Sequence, residues 1–134
     1  MPNDEWYGKL IGVHFDMHPP AERGTVLVEE ENKDHLIIQG QNGQEGWMDE
    51  WYNFRTHPRQ NANLKVLLKG DTTSFKDGKM GDDHPLVWCQ DFEGGRSFYT
   101  ALGHFDEAYK AKWFMDQILR GILWVAKQED TLSA

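Results

Sequence analysis

One stretch, Gly81 to His104 (GDDHPLVWCQDFEGGRSFYTALGH), constrains the fold more than any other part of the chain. Pro85 to Asp91 is an apolar, aromatic run of strand length. Ser97 to Leu102 is a second run, with Phe98 and Thr100 on one face and Ser97, Tyr99 and Ala101 on the other. Between them, Glu93-Gly94-Gly95-Arg96 supplies turn chemistry, because glycine reaches the positive φ values that a tight hairpin needs. The predicted antiparallel hairpin brings its two outer ends together. Asp82, Asp83 and His84 precede the first strand and Gly103-His104 follows the second, so these groups are expected at one rim. A site is expected there.

The remaining elements follow from periodicity and punctuation. A helix capped by Asp4 is predicted from about Glu5 to Val13. Gly24 to Glu31 reads as a strand running out to solvent, and His35 to Gln39 as a short strand or a packing loop. Gly40 to Gly46 is a polar loop, followed by the extended, aromatic Trp47 to Phe54. Asn63 to Lys69, with Val66, Leu67 and Leu68 consecutive, reads as a parallel strand covered on both faces. Asp71 to Met80 is a hydrophilic linker. A final helix begins at Asp106 or Glu107, with Phe114, Ile118, Ile122 and Val125 along one face and Met115, Leu119 and Leu123 widening the stripe. The pattern is α/β: a partial sheet with a C-terminal antiparallel hairpin and a long C-terminal helix. A parallel strand at 63–69 lacks neighbours in such a partial sheet, so a homodimer or a second chain is expected to complete it.

Composition bounds the function. The 134 residues form one domain, and 39% hydrophobic with 27% charged residues is ordinary for a globular protein. Fourteen basic against 22 acidic residues give a net charge of −8, the wrong sign for a nucleic-acid partner. No apolar run approaches a membrane span and the start is not a signal peptide, so no membrane partner and a cytoplasmic location are expected. One cysteine excludes an internal disulfide. Cys89 sits mid-strand between Trp88 and Gln90 without an electropositive turn, so it is read as structural.

The candidate chemistry is acid/base. His104 follows a strand and precedes a helix, where an imidazole can serve as general base or acid near neutral pH. Asp82, Asp83 and His84 offer two carboxylates and an imidazole in a row, with turn capping as the bland alternative. Asp82, His84 and His104 are residue types that hold a divalent ion, but no spacing here is diagnostic of a metal, and none is assigned. Asp49 and Glu50 precede Trp51-Tyr52, a carboxylate beside an aromatic platform of the kind that binds sugars. His18 lies in the loop after the first helix and can face the same rim.

Several segments together resemble the ThuA-like (trehalose-utilisation) family. They are Gly81-Asp-Asp-His-Pro-Leu-Val-Trp88, Gly95-Arg-Ser-Phe-Tyr-Thr-Ala-Leu-Gly-His104 and Arg120-Gly-Ile-Leu-Trp124, with Asp49-Glu-Trp-Tyr-Asn-Phe54, Trp6-Tyr-Gly-Lys-Leu-Ile-Gly12 and His18-Pro19 upstream. The resemblance covers nearly the whole chain. It implies a flavodoxin-like domain related to class I glutamine amidotransferases and linked to carbohydrate metabolism, with His104 placed like the catalytic histidine of those amidotransferases. It also implies that residues 1–134 are the C-terminal part of such a domain, the first strands and helices being absent. The function expected is binding or processing of a sugar or sugar derivative, with Glu50, His84 and His104 as catalytic candidates. His18, Asp49, Trp51, Tyr52, Asp82 and Asp83 are the expected substrate-binding residues, and no cofactor is expected. The alternatives are a non-catalytic carbohydrate-binding or accessory module and a metal-dependent hydrolase.

Overall fold

Seven consecutive buried residues, His84 to Gln90, make one strand the axis of the structure. A strand buried on both faces needs cover on both, and the rest of the chain supplies it. The structure is a computed structural model that describes residues 4–132.

Five strands form the main sheet: β2 (Glu22–Val28), β3 (Gln44–Asp49), β5 (Lys65–Gly70), β6 (His84–Phe92) and β7 (Gly95–Thr100), in the order β3-β2-β5-β6-β7. Two short strands, β1 (Phe15–Met17) and β4 (Asn53–Phe54), pair separately. Every pairing among the described residues is antiparallel. The expected hairpin is β6–β7, running from Val87↔Thr100 to Phe92↔Gly95. Its two-residue turn has φ of 50° at Glu93 and 81° at Gly94, the positive pair of a type I′ turn.

The mixed α/β character and the C-terminal helix stand as expected, but β5 does not run parallel to its neighbours. It lies between β2 and β6, antiparallel to both. Its Val66-Leu67-Leu68 run is buried because layers cover both faces, not because the sheet is parallel. The edge that was expected to be exposed at 63–69 is therefore already paired within the chain.

The first helix, α1 (Asp4–Ile11), covers one face of the hairpin; the side chain of Asp4, its expected cap, lies outside what is described. A helix end leaves carbonyls unpaired, and here side chains from the sheet take them. Gln90 Nε2 donates to the carbonyls of Lys9 (2.9 Å) and Leu10 (3.0 Å), Ser97 Oγ donates to Leu10 (2.6 Å), and Trp88 Nε1 donates to Ile11 (2.7 Å). Gly12, at φ 109°, ends the helix, and Asn61 Nδ2 donates to its carbonyl at 2.9 Å.

The second helix, α2 (Lys112–Val125), covers the other face with Phe114, Gln117 and Gly121. Gly121 lets it approach closely, since a Cβ there would lie 2.5 Å from the Phe98 ring. The segment at 35–39 is not a strand. Of the two expectations the packing loop holds: a series of turns buries Ile37 and Ile38 completely and is tied to α2 by Arg120 Nη1 donating to the Leu36 carbonyl at 2.8 Å. A 3-10 turn at Asp106–Lys110 precedes α2, so the helix starts several residues later than its acidic signal suggested. Its outward side carries Met115, Leu119, Ile122 and Val125, all exposed. No helix among the described residues is long and apolar enough to cross a membrane.

Candidate functional site

Asp49 ends β3 with a carboxylate that is wholly buried. A buried carboxylate must collect donors to offset its lost hydration, and this one has four. Oδ2 accepts from the Trp47 indole N–H at 2.8 Å and from the Gly103 backbone N–H at 2.8 Å. Oδ1 accepts from the backbone N–H of Glu50 at 3.0 Å and of His104 at 3.4 Å. One side chain thus fastens the end of β3 to the loop that leaves β7. That clamp brings Glu50 and His104 together from 54 residues apart.

Trp51, next in sequence, has φ of 52°. A left-handed backbone at a bulky residue costs about 1–3 kcal/mol and persists only where its surroundings enforce it. Here the ring enforces it. The indole is fully buried, stacks on Phe75 at 4.5 Å, packs over Gly24 and donates to the Glu22 carbonyl at 2.8 Å. The chain turns sharply out of β3 at this point, which leaves Glu50 on the rim while its neighbours on either side are enclosed.

Glu50 is largely sheltered, with its side chain 13% exposed, and it faces two imidazoles. Oε1 lies 3.0 Å from His104 Nδ1 and Oε2 lies 3.4 Å from His18 Nε2. A carboxylate only accepts, so a hydrogen bond across this contact needs the proton on His104 Nδ1, an arrangement that leaves Nε2 with a lone pair on a half-exposed ring. His18 Nδ1 lies 2.8 Å from the Pro19 carbonyl and must donate to it, so His18 Nε2 donates to Glu50 only as the doubly protonated ring. Tyr52 closes the side, its ring 5.9 Å from that of His18 and 4.7 Å from Phe15. Burial, with Glu50 and Asp49 nearby, raises the Tyr52 hydroxyl pKa and keeps it protonated. With Nδ1–H turned to Glu50, the cluster can hold and pass a proton at His104 Nε2.

The other candidates lie elsewhere. His84 is fully enclosed; its Nε2 donates to the Tyr52 carbonyl at 2.8 Å, its Nδ1 has no partner, and burial lowers its pKa. It supports the backbone of the site from beneath and does not reach the rim. Asp83 pairs with Arg59 through two hydrogen bonds (2.7 and 3.0 Å), and Arg59 also binds Glu29. The Arg59 bond holds the Asp83 carboxyl below its usual range. Asp82 is exposed beyond this network. Trp51 is core, not platform. Among the described residues no group of three or more His, Cys, Asp or Glu could hold a metal ion. The Cys89 thiol, enclosed beside His35, is pushed up to about 12 by burial.

Sequence reasoning did not find the role of Asp49 as a clamp. Its signal was available only as an acidic residue at a strand end, which reads equally well as a solvated charge.

The comparisons with known proteins agree with this arrangement of elements. A family model described as trehalose utilisation matches residues 1–125. Among solved structures, a ThuA-like protein from Bacteroides uniformis superposes with a TM-score of 0.72 at 25% identity, over 90% of this chain and 51% of that one. A ThuA-like protein from Parabacteroides merdae superposes with a TM-score of 0.57 at 21% identity, over 87% of this chain and 48% of that one. The chain spans about half the length of either. No curated protein matches the sequence.

Proposed function

The chain belongs to the ThuA, or trehalose-utilisation, family, and from that premise we propose that it binds and processes a sugar or sugar derivative at the Glu50–His104 rim. Family membership supplies the carbohydrate class. The observation that carries the chemistry is the 3.0 Å contact between Glu50 Oε1 and His104 Nδ1. A carboxylate that accepts from one ring nitrogen fixes the tautomer, aims the other nitrogen outward and stabilises the imidazolium formed when that nitrogen takes a proton. His104 Nε2 accepts a proton from a sugar hydroxyl or from water and returns it later in the cycle. His18 contributes a second polar edge, and the Tyr52 ring offers an apolar flank for the sugar. His84 acts through Tyr52, as a positioning residue.

No nucleophile is part of this cluster. A non-catalytic sugar-binding module with the same residues is the second reading, favoured by the buried, fully protonated thiol of the one cysteine. Turnover of a panel of saccharides, followed across pH, separates the two. His104→Ala and Glu50→Gln are each expected to lower kcat by roughly 10²- to 10⁴-fold, the usual worth of a positioned acid/base. Wild-type turnover retained by both variants overturns the acid/base assignment. Saccharide binding without turnover by the wild type selects the binding module.

A further inference from the structure

We propose that the cleft between β3 and the 3-10 turn at Asp106–Lys110 is a subsite for one neutral monosaccharide unit, and that Arg23 is its specificity-determining side chain. This rests on the carbohydrate reading above and extends it to a place and a ligand class.

The cleft has a volume of about 270 Å³. Sites for drug-sized ligands run from roughly 300 to 1,000 Å³, so this one suits a single ring. It exists for two reasons. β3 is an edge strand, with β2 as its one partner in the sheet, and the turn facing it presents the small side chains of Ala108 and Ala111.

The cleft is connected to the rim by two of its lining residues, Phe105 and Trp47. The Phe105 ring lines it and lies 4.8 Å from the His104 ring, nearly perpendicular to it. Trp47 lines it too, and the Trp47 indole shares the Asp49 carboxylate with the Gly103 and His104 backbone. The buried carboxylate that fixes the Trp47 wall of the cleft therefore also fixes the backbone of His104, so a ring seated in the cleft lies one residue along from the proton-transfer side chain.

The lining fixes the chemistry. Phe105 and Met48, both half-buried, and the edge of Trp47 form an apolar wall of the kind that meets the C–H face of a pyranose. Arg23 Nη1 donates to the Gly46 carbonyl at 2.9 Å, which steadies the guanidinium at the cleft while its remaining N–H groups are available to hydroxyl oxygens. Glu107 lines the same cleft and accepts from hydroxyl protons. The two charges are opposite in sign, and the Asp49 carboxylate lies behind Trp47. An anionic substituent gains little there, whereas a neutral polyol uses both charged groups.

The test is an NMR titration of ¹⁵N-labelled protein with D-glucose, trehalose and D-glucuronate. Shifts at Gly46, Met48 and Phe105 to Ala108 with the two neutral sugars are expected. Arg23→Ala should weaken that binding at least tenfold with an unchanged Tm, and Arg23→Lys, which keeps the charge but loses the fork, should weaken it to a similar extent. Shifts confined to His18 and Tyr52, with the cleft amides silent, overturn the subsite and leave the carbohydrate reading standing. Tighter binding of glucuronate than of glucose overturns the neutral ligand class. An absence of shifts with every saccharide defeats the carbohydrate reading and the subsite with it.

Discussion

Asp49 shows how one side chain can carry a site without touching its ligand. Its carboxylate accepts from a side chain and three backbone amides, drawn from two segments that the chain keeps far apart. Asp49→Asn keeps the shape but turns one oxygen into a donor that faces donors. Leaving buried groups unsatisfied costs about 1–3 kcal/mol. Thermal unfolding should show that loss, and the NMR shifts of the His104 amide should move with it; an Asn variant as stable as the wild type contradicts the clamp. At this scale the sequence was only partly readable. Glu50 and His104 stood out as residue types at element ends, and the structure brings them into contact. His84 stood out equally, yet its side chain is turned inward, because strand position alone does not say which face a first residue takes. Phe75 was not visible at all. It sits in a hydrophilic stretch, and its stacking on Trp51 depends on tertiary contacts that local pattern does not encode.

Among the elements, α2 is packed to the limit of backbone approach. Gly121 sits against the Phe98 ring where a Cβ would be 2.5 Å from ring carbons. Alanine is favoured over glycine in a helix by about 1 kcal/mol, but overpacking a fitted contact costs typically 1–3 kcal/mol. The clash should prevail, so Gly121→Ala is expected to lower Tm. A raised Tm would mean that Phe98, half-buried on β7, swings aside at little cost. The hairpin and both helices were legible because turn glycines and 3.6-residue periodicity are local signals. The direction of β5 was not, since a doubly covered antiparallel strand has the same apolar run as a parallel one. What decides between them is which strands flank it, and both neighbours of β5 are distant in sequence or follow a long connection.

For the whole molecule, the enclosed His84 and the half-buried His35 set the response to pH near neutrality. Burial lowers the pKa of His84 from the ordinary value near 6.5, and burial with Lys65 and Arg96 nearby lowers that of His35. Below about pH 6.5 the unfolded chain takes up protons that the folded chain resists. The unfolded state then binds more protons, so stability should fall as pH drops from about 7 through 6, ahead of any loss from Asp83, whose depressed pKa matters only in stronger acid. His84→Gln keeps a donor for the Tyr52 carbonyl and removes the titration, so its urea midpoint should vary less with pH than that of the wild type. An identical pH slope contradicts the assignment. At the same scale the ground for expecting a partner changes, not the expectation itself. Its ground was an unpaired strand at 63–69, and that strand is interior; exposed apolar side chains remain on α2, Leu119 and Ile122 among them, and on other elements, Trp6, Tyr7 and Phe15 among them.

The Glu50–His104 contact is the claim on which the functional account stands, and the tautomer of His104 reports it directly. A long-range ¹H–¹⁵N correlation on the neutral ring should show the proton on Nδ1 in the wild type and a loss of that preference in Glu50→Ala. A wild-type ring protonated on Nε2, unchanged by removing Glu50, would mean that the carboxylate does not orient the imidazole, and the acid/base account would fall.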